Sequence, residues 1–155
     1  GYVSAKELNV SEEKLYRALL VSNLVTLHEK TGIGTLSAYC GAVSAGAGAG
    51  AGIVYLCGDG YQAAIHTVVN ALAIVSGIVC DGAKADCALK ISTCVNAACQ
   101  AAAMGTRGVR VQSTDGIVEH NVEYTLDNFA TLSTHGTSDS VILDLMLNKH
   151  LPETE

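Results

Sequence analysis

The stretch GAVSAGAGAGAGIVYLCG, residues 41–58, alternates glycine with alanine and contains no charged side chain. It lies inside a longer uncharged run that begins after Lys30 and ends before Asp59. Three structures fit such a composition: a silk-like strand, a membrane span, or a helix that packs very close to its neighbours. The alternation lasts only from Ala45 to Gly52, which is too short for a silk-like repeat.

A second uncharged run, between Asp59 and Asp81, raises the alternative of a membrane hairpin. Glycine and alanine contribute little transfer free energy, however, and polar His66 and Asn70 interrupt the second run. Each glycine inside a helix costs about 1 kcal/mol relative to alanine. Small side chains repay that cost where helix axes must approach closely. We therefore expect residues 41–58 to form a buried central helix, with the membrane hairpin as the alternative.

The composition of the whole chain agrees with helices in close contact. Of its 155 residues, 49% are hydrophobic, 5% are aromatic and 15% are charged, whereas an ordinary domain has about 25% charged residues. The net charge of −6 argues against a nucleic-acid partner. No apolar signal segment opens the sequence, so we expect a cytoplasmic protein whose six cysteines are reduced.

Hydrophobic periodicity and capping signals predict an all-α fold, a compact helical bundle that forms one domain over residues 1–155. Ser11 is the expected N-cap of the first helix, and Gly32 and Gly34 are expected to end it. No segment other than the glycine–alanine run alternates with a period of two, so strands are not expected. The predicted helices cover residues 11–30, 41–58, 61–79, 86–105, 117–133 and 138–149.

The spacing of the cysteines restricts the sites that they can form. No CxxC pair occurs, which argues against zinc-ribbon and thioredoxin-like sites. Cys80 stands beside a glycine turn at a helix start, where the helix dipole favours a thiolate. Cys80, Cys87 and Cys94 are spaced by seven and would share a face if one helix carried all three. Each of the six cysteines has the alternative of being an ordinary core side chain, and this alternative is strongest for Cys57, Cys94 and Cys99.

Three long motifs resemble one known family. They are GTLSAYCGAVSAGAGAGAGIVYLCG at 34–58, SGIVCDGAKADCALKISTCVNAA at 76–98, and STDGIVEHNVEYTLDNFATLSTHGTSDSVILDLML at 113–147. The sequence resembles the alpha-chain family of iron–sulfur L-serine dehydratases, and within it the branch of L-cysteine desulfidases. Members of that family are longer, and the resemblance is to their C-terminal part.

The resemblance implies a lyase that carries a 4Fe–4S cluster on three cysteines, with one iron open to the substrate. A fourth thiolate would close that site. Elimination of sulfide from L-cysteine, or of water from L-serine, leaves an aminoacrylate that hydrolyses to pyruvate and ammonia. Cys40 and Cys80 match the cluster cysteines of the family, and we expect them to converge in space. Cys87 is the third expected metal ligand, with a cysteine from the N-terminal half of the enzyme as the alternative.

Three other residues are candidates for contact with the substrate. Lys84 is expected to bind a carboxylate or to act as the catalytic base, with a solvent-facing helix lysine as the alternative. Thr35 and Ser37 are expected to donate hydrogen bonds to the substrate or to cluster sulfides, with backbone capping as the alternative.

The expected partners are an amino-acid substrate, the N-terminal half of the full-length enzyme, and further copies in a homo-oligomer, without nucleic acid or membrane. A second hypothesis makes the chain a non-catalytic helical assembly domain whose cysteines are merely buried.

Overall fold

The computed structural model describes residues 2–34, 37–80 and 82–135. Within them six α-helices and no β-strand form a compact bundle, so the predicted all-α fold is confirmed. The predicted helix over 138–149 lies outside the described residues. The helices are α1 (Tyr2–Glu7), α2 (Glu12–Ile33), α3 (Gly41–Cys57), α4 (Tyr61–Val75), α5 (Cys87–Gly105) and α6 (Val122–His135).

Helix α3 is the glycine–alanine segment, and it lies at the centre of the bundle. It packs against α2, α4 and α5. Val43, Ala47, Ala51 and Val54 are completely buried, so the predicted buried central helix is confirmed. In the part of the chain that the structure describes, no helix is both long enough and apolar enough to cross a bilayer.

Four of the five glycines of α3 lie where neighbouring helices come closest. A Cβ atom added at Gly48 would overlap the Thr26 hydroxyl and the Ser22 carbonyl of α2. At Gly46 it would lie 3.0 Å from the Cβ of Cys94 in α5. The other two glycines are restricted in the same way, Gly50 by Thr67 of α4 and Gly52 by Ala18 of α2. The axes therefore pack at a separation that alanine would not permit.

The ends of α2 follow the signals in the sequence. The Ser11 side chain accepts a hydrogen bond from the Lys14 N–H at 3.3 Å, as an N-cap does. The helix continues through Gly32 and stops at Gly34, whose φ of +77° is a conformation that glycine adopts readily. Helix α1, in contrast, was not predicted.

Two predicted helix boundaries are wrong. Helix α4 ends at Val75 instead of residue 79, and residues 76–80 then turn to pair with the segment before α3. Helix α6 begins at Val122 instead of residue 117, and the Asn121 side chain accepts a hydrogen bond from the Glu123 N–H at 2.9 Å. Cys80 therefore does not share a helix face with Cys87 and Cys94, which both lie on α5.

We expect Gly48→Ala to destabilise the fold by about 1–3 kcal/mol, because a methyl group there pushes α2 and α3 apart. The control is Gly41→Ala on the same helix, where an added Cβ meets nothing within 4 Å. That change should be neutral or stabilising by at most about 1 kcal/mol. Urea unfolding midpoints measure both variants, and equal stability of the two would contradict the close-packing interpretation.

Candidate functional site

Two segments that precede helices meet beside the N-terminus of α3. Tyr39 pairs antiparallel with Val79. On either side of this pair the Cys40 N–H donates to the Ile78 carbonyl at 2.9 Å, and the Cys80 N–H donates to the Ala38 carbonyl at 2.7 Å. Alternate residues of an extended segment point to the same face. Ala38, Cys40, Ile78 and Cys80 therefore lie on one face of this pairing, and Tyr39 and Val79 lie on the other.

The pairing brings Cys40 and Cys80 together although they are 40 positions apart in the sequence. Cys40 stands opposite Ile78, so Cys80 is its diagonal neighbour on the same face. Diagonal neighbours in antiparallel pairs lie about 7–8 Å apart, with their Cβ atoms somewhat closer. Cys40 is buried and Cys80 is exposed, and both are free thiols. One thiol of this pair thus lies in the core and the other lies at the surface.

A third cysteine, Cys94, lies against the buried side of this group. It is buried on α5, two turns after Cys87, and contacts α3 at Gly46. Burial raises the pKa of the Cys94 thiol, and the nearby Cys40 raises it further. From the sequence, Cys94 was expected to be an ordinary core side chain, and it is indeed buried. The seven-residue spacing from Cys87 was the only signal that it lies on the same side of α5.

Cys87 closes the turn between the paired segment and α5. Its thiol donates to the Gly82 carbonyl at 3.4 Å and accepts from the Lys84 N–H at 3.5 Å. The backbone of Gly82 has a φ of +94°, which allows this tight turn. Lys84 lies on the turn and is exposed. Cys87 is therefore held by the turn, three residues from Lys84.

Lys90, which sequence reasoning missed, connects the same turn to the paired segment. Its ammonium group donates to the Val79 carbonyl at 3.2 Å and lies 3.6 Å from the Asp86 carboxylate. This contact fixes α5 relative to the strand-like residues that precede Cys80. The sequence did not indicate Lys90, because only the fold brings Lys90 back to Val79.

Ser37 holds the other paired segment against α6. Its hydroxyl forms a 2.5 Å hydrogen bond with the Ser133 hydroxyl and accepts from the Tyr39 N–H at 3.0 Å. The Tyr39 ring packs on Phe129, with ring centroids 5.3 Å apart. These contacts correspond to the capping alternative for Ser37. Thr35, the other predicted hydrogen-bond donor, lies outside the described residues.

A buried carboxyl group, which the sequence did not indicate, lies one helical turn from this region. Glu29 on α2 is 3% exposed, near Ser44 in the first turn of α3. Burial raises the pKa of Glu29 to about 8, and the nearby Ser44 hydroxyl acts in the opposite direction. Neither the carboxylate oxygens nor the Ser44 hydroxyl has a hydrogen-bond partner among the described residues. Glu29 is therefore mostly protonated at neutral pH.

The three predicted metal ligands do not form a complete metal-binding group by themselves. Across residues 2–34, 37–80 and 82–135, no three His, Cys, Asp or Glu side chains are grouped closely enough to hold a metal ion. The backbone pairing brings Cys40 and Cys80 together, whereas the Cys87 thiol is hydrogen-bonded to the Gly82 carbonyl within its own turn.

Comparison with known proteins identifies the family of this chain. The chain matches the profile of the serine dehydratase alpha chain over residues 1–142. It belongs to the serine dehydratase alpha chain family. No solved structure gives a significant match.

Several relatives in this family are UPF0597 proteins of bacteria. The chain is 54% identical over 147 residues to one from Desulfitobacterium hafniense, a match that covers 94% of this chain and 34% of the relative. It is 50% identical to one from Lachnoclostridium phytofermentans, covering 92% of this chain and 35% of the relative. A Treponema denticola relative is 46% identical, with 94% and 34% covered. The chain thus spans about a third of the length of these relatives.

The burial of the Glu29 carboxyl group predicts how the stability of the fold depends on pH. The native pKa of Glu29, about 8, exceeds the ordinary carboxyl value of 4.5, so the native state holds a proton that the unfolded chain releases. The free energy of unfolding should therefore fall as the pH rises from 4.5 to about 8. By pH 7 the loss relative to acid pH should be about 3 kcal/mol. Glu29→Gln cannot titrate and should lose this dependence, as measured by urea unfolding at a series of pH values.

The control for this measurement is Glu7→Gln, which changes an exposed carboxylate on α1. It should follow the wild-type pH profile. Parallel profiles for wild type and Glu29→Gln would show that the Glu29 carboxyl group does not carry the buried proton.

Proposed function

We propose that this chain is the cluster-binding part of a lyase that eliminates the β-substituent of L-cysteine or L-serine. The products would be pyruvate, ammonia and either sulfide or water. The observation that carries the proposal is the adjacency of Cys40 and Cys80 on one face of the Tyr39–Val79 pairing. Membership of a family of generally iron–sulfur-dependent dehydratases supports it.

The thiols at this pairing have the donor chemistry of iron–sulfur ligands. We assign Cys40 and Cys80 as two ligands of a 4Fe–4S cluster, with Cys87 as the third ligand available within this chain. The alternative third ligand is a cysteine from the part of the protein that corresponds to the uncovered two thirds of the relatives. A cluster held by three thiolates would leave one iron open, and that iron would serve as a Lewis acid toward the leaving group.

Residues of this chain hold and bury the inner side of the proposed site. The Cys40 backbone is held by Ile78, and the buried Cys94 lies behind it. Next to buried groups, electrostatic interactions with a charged substrate are stronger than in water. Cys80 on the exposed side leaves an approach for a small amino acid.

For the remaining candidates we propose roles that follow their positions. The exposed Lys84 would bind the substrate carboxylate or remove the α-proton, since it projects from the turn that follows Cys80. Ser37 would act indirectly, because its hydroxyl already bonds Ser133 and Tyr39 and so holds the segment that carries Cys40. A direct hydrogen bond from Thr35 to the substrate stays a prediction.

We also propose that the active enzyme is cytoplasmic and homo-oligomeric and includes the N-terminal half. All six cysteines are free thiols, which suits a reducing compartment. The short coverage of the relatives supports the contribution of a further part of the protein.

Replacement of one ligand tests the proposal. In the full-length protein, Cys80→Ser should abolish both the visible absorption of the reconstituted cluster and the release of pyruvate and sulfide from L-cysteine. Both losses follow because one change removes a ligand and, with it, the Lewis acid. The measurements are anaerobic absorption spectra and product assays on the same samples. The control is Cys99→Ser, an exposed cysteine on the outer side of α5, which should retain both properties. Undiminished activity in Cys80→Ser would end the mechanism as stated.

Cys87→Ser distinguishes the two sources of the third ligand. If Cys87 is the ligand, this variant should resemble Cys80→Ser in both the spectrum and the assay. If it keeps the cluster and loses only a little stability through the turn at Gly82, the third thiolate comes from elsewhere in the full-length protein. Iron content per protein, measured after reconstitution, separates these results.

A further inference from the structure

The outer face of α2 carries a row of large apolar side chains that the described residues leave open to solvent. Tyr16, Leu20, Leu24 and Leu27 are 57%, 61%, 64% and 60% exposed. At about 100° per residue, these four positions lie within about 80° of one another around the helix. We call them the outer row of α2.

The outer row lies opposite the side of α2 that is packed in the bundle. The buried side contains Ala18 and Glu29 and contacts α3. A surface helix normally has one apolar stripe and one polar face. Helix α2 has apolar side chains on both sides, as a helix between two layers of protein does. The described residues supply only one of those layers.

An apolar hollow continues the outer row toward α4 and α6. Leu24 lines a cavity of about 360 Å³ together with Val25, Tyr61 and Leu126. At its edge His28 and Glu123 form a 2.8 Å hydrogen bond. Monomeric proteins rarely expose such continuous apolar surfaces unless they are interaction sites. The row and the hollow together therefore constitute an interaction surface.

We propose that the outer row is the docking surface for a helix from the part of the protein that corresponds to the uncovered two thirds of the relatives. The chain covers only 34% of a relative to which it is 54% identical, so such proteins carry much additional polypeptide. That polypeptide is the occupant we assign to the row. The proposal does not depend on the lyase chemistry.

The shape of the surface indicates a helical partner. Eleven residues separate Tyr16 from Leu27, so the row is straight and about 16 Å long. Its spacing of four, four and three residues forms a ridge that packs into the groove of another helix. The partner helix would carry apolar residues at every third or fourth position. The Glu13–Arg17 pair at one end and His28–Glu123 at the other would form a polar rim.

Hydroxyl-radical footprinting of the full-length protein tests the proposal. The oxidation rates of Leu20 and Leu24 are measured in the native and unfolded states, with the completely buried Leu72 as internal reference. If a helix covers the row, both leucines should be protected as strongly as Leu72. If the row is open, their protection should be less than about twofold, since roughly 60% of each side chain faces solvent. That result would overturn the proposal.

Two variations of the experiment exclude other occupants. Protection that disappears on dilution would assign the row to a second copy of the protein and overturn the proposal. Protection that is lost when residues 136–155 are deleted would assign it to this chain's own last segment, with the same consequence. Protection that survives both changes supports docking of the additional polypeptide. None of these readouts uses activity, so a failed lyase assay leaves the result intact.

Discussion

The close approach of α3 to α2, α4 and α5 is the constraint on which the rest of the structure depends. With glycine or alanine at most of its positions, α3 presents little more than backbone to its neighbours, and dispersion contacts between backbones replace those of large side chains. Few aromatic residues are therefore needed in the core, and Phe129 is the one large ring that is fully buried among the described residues. The tight packing also fixes where α3 begins, and so where Cys40 lies.

The position of Cys40 connects packing to chemistry. The residues before α3 and after α4 leave their helices at the same end of the bundle, and two backbone hydrogen bonds join them there. Ser37 and Lys90 then secure these segments to α6 and α5. A rigid helical bundle thus supports a short extended pairing, which is where free cysteines come together. Rigid elements that hold reactive side chains on short connections are a common way to build a site.

Two features of α2 are costly for an isolated domain. Glu29 buries a carboxyl group without a hydrogen-bond partner in the described part of the chain, and the outer row exposes leucine side chains to water. Each lowers stability, since unpaired buried polar groups and exposed apolar surface are both unfavourable. The exposed row is understandable in a polypeptide that spans about a third of its relatives, because further protein can cover it.

Much of the helical architecture was predictable because its signals are local. The cap at Ser11, the glycine at the end of α2, and the glycine–alanine run each act through residues that are near one another in the sequence. Gly77 was the local signal for the end of α4, but the sequence did not indicate that residues 76–80 all lie outside the helix. They leave it because pairing with residues 38–40 satisfies their backbone groups and places Ile78 against the core.

For the site, the sequence identified Cys40, Cys80 and Cys87 as candidates through resemblance to the family, and Lys84 through its position in the turn after Cys80. Only the tertiary structure decided that Cys40 and Cys80 are neighbours, that Cys94 lies beside Cys40, and that Lys90 returns to Val79. The burial of Glu29 was equally hidden, since its neighbours in the sequence, His28 and Lys30, are polar. The physical reason is the same in each case. Helical periodicity is a property of neighbouring residues, whereas contacts between residues 11 to 54 positions apart depend on how the helices and the segments between them pack.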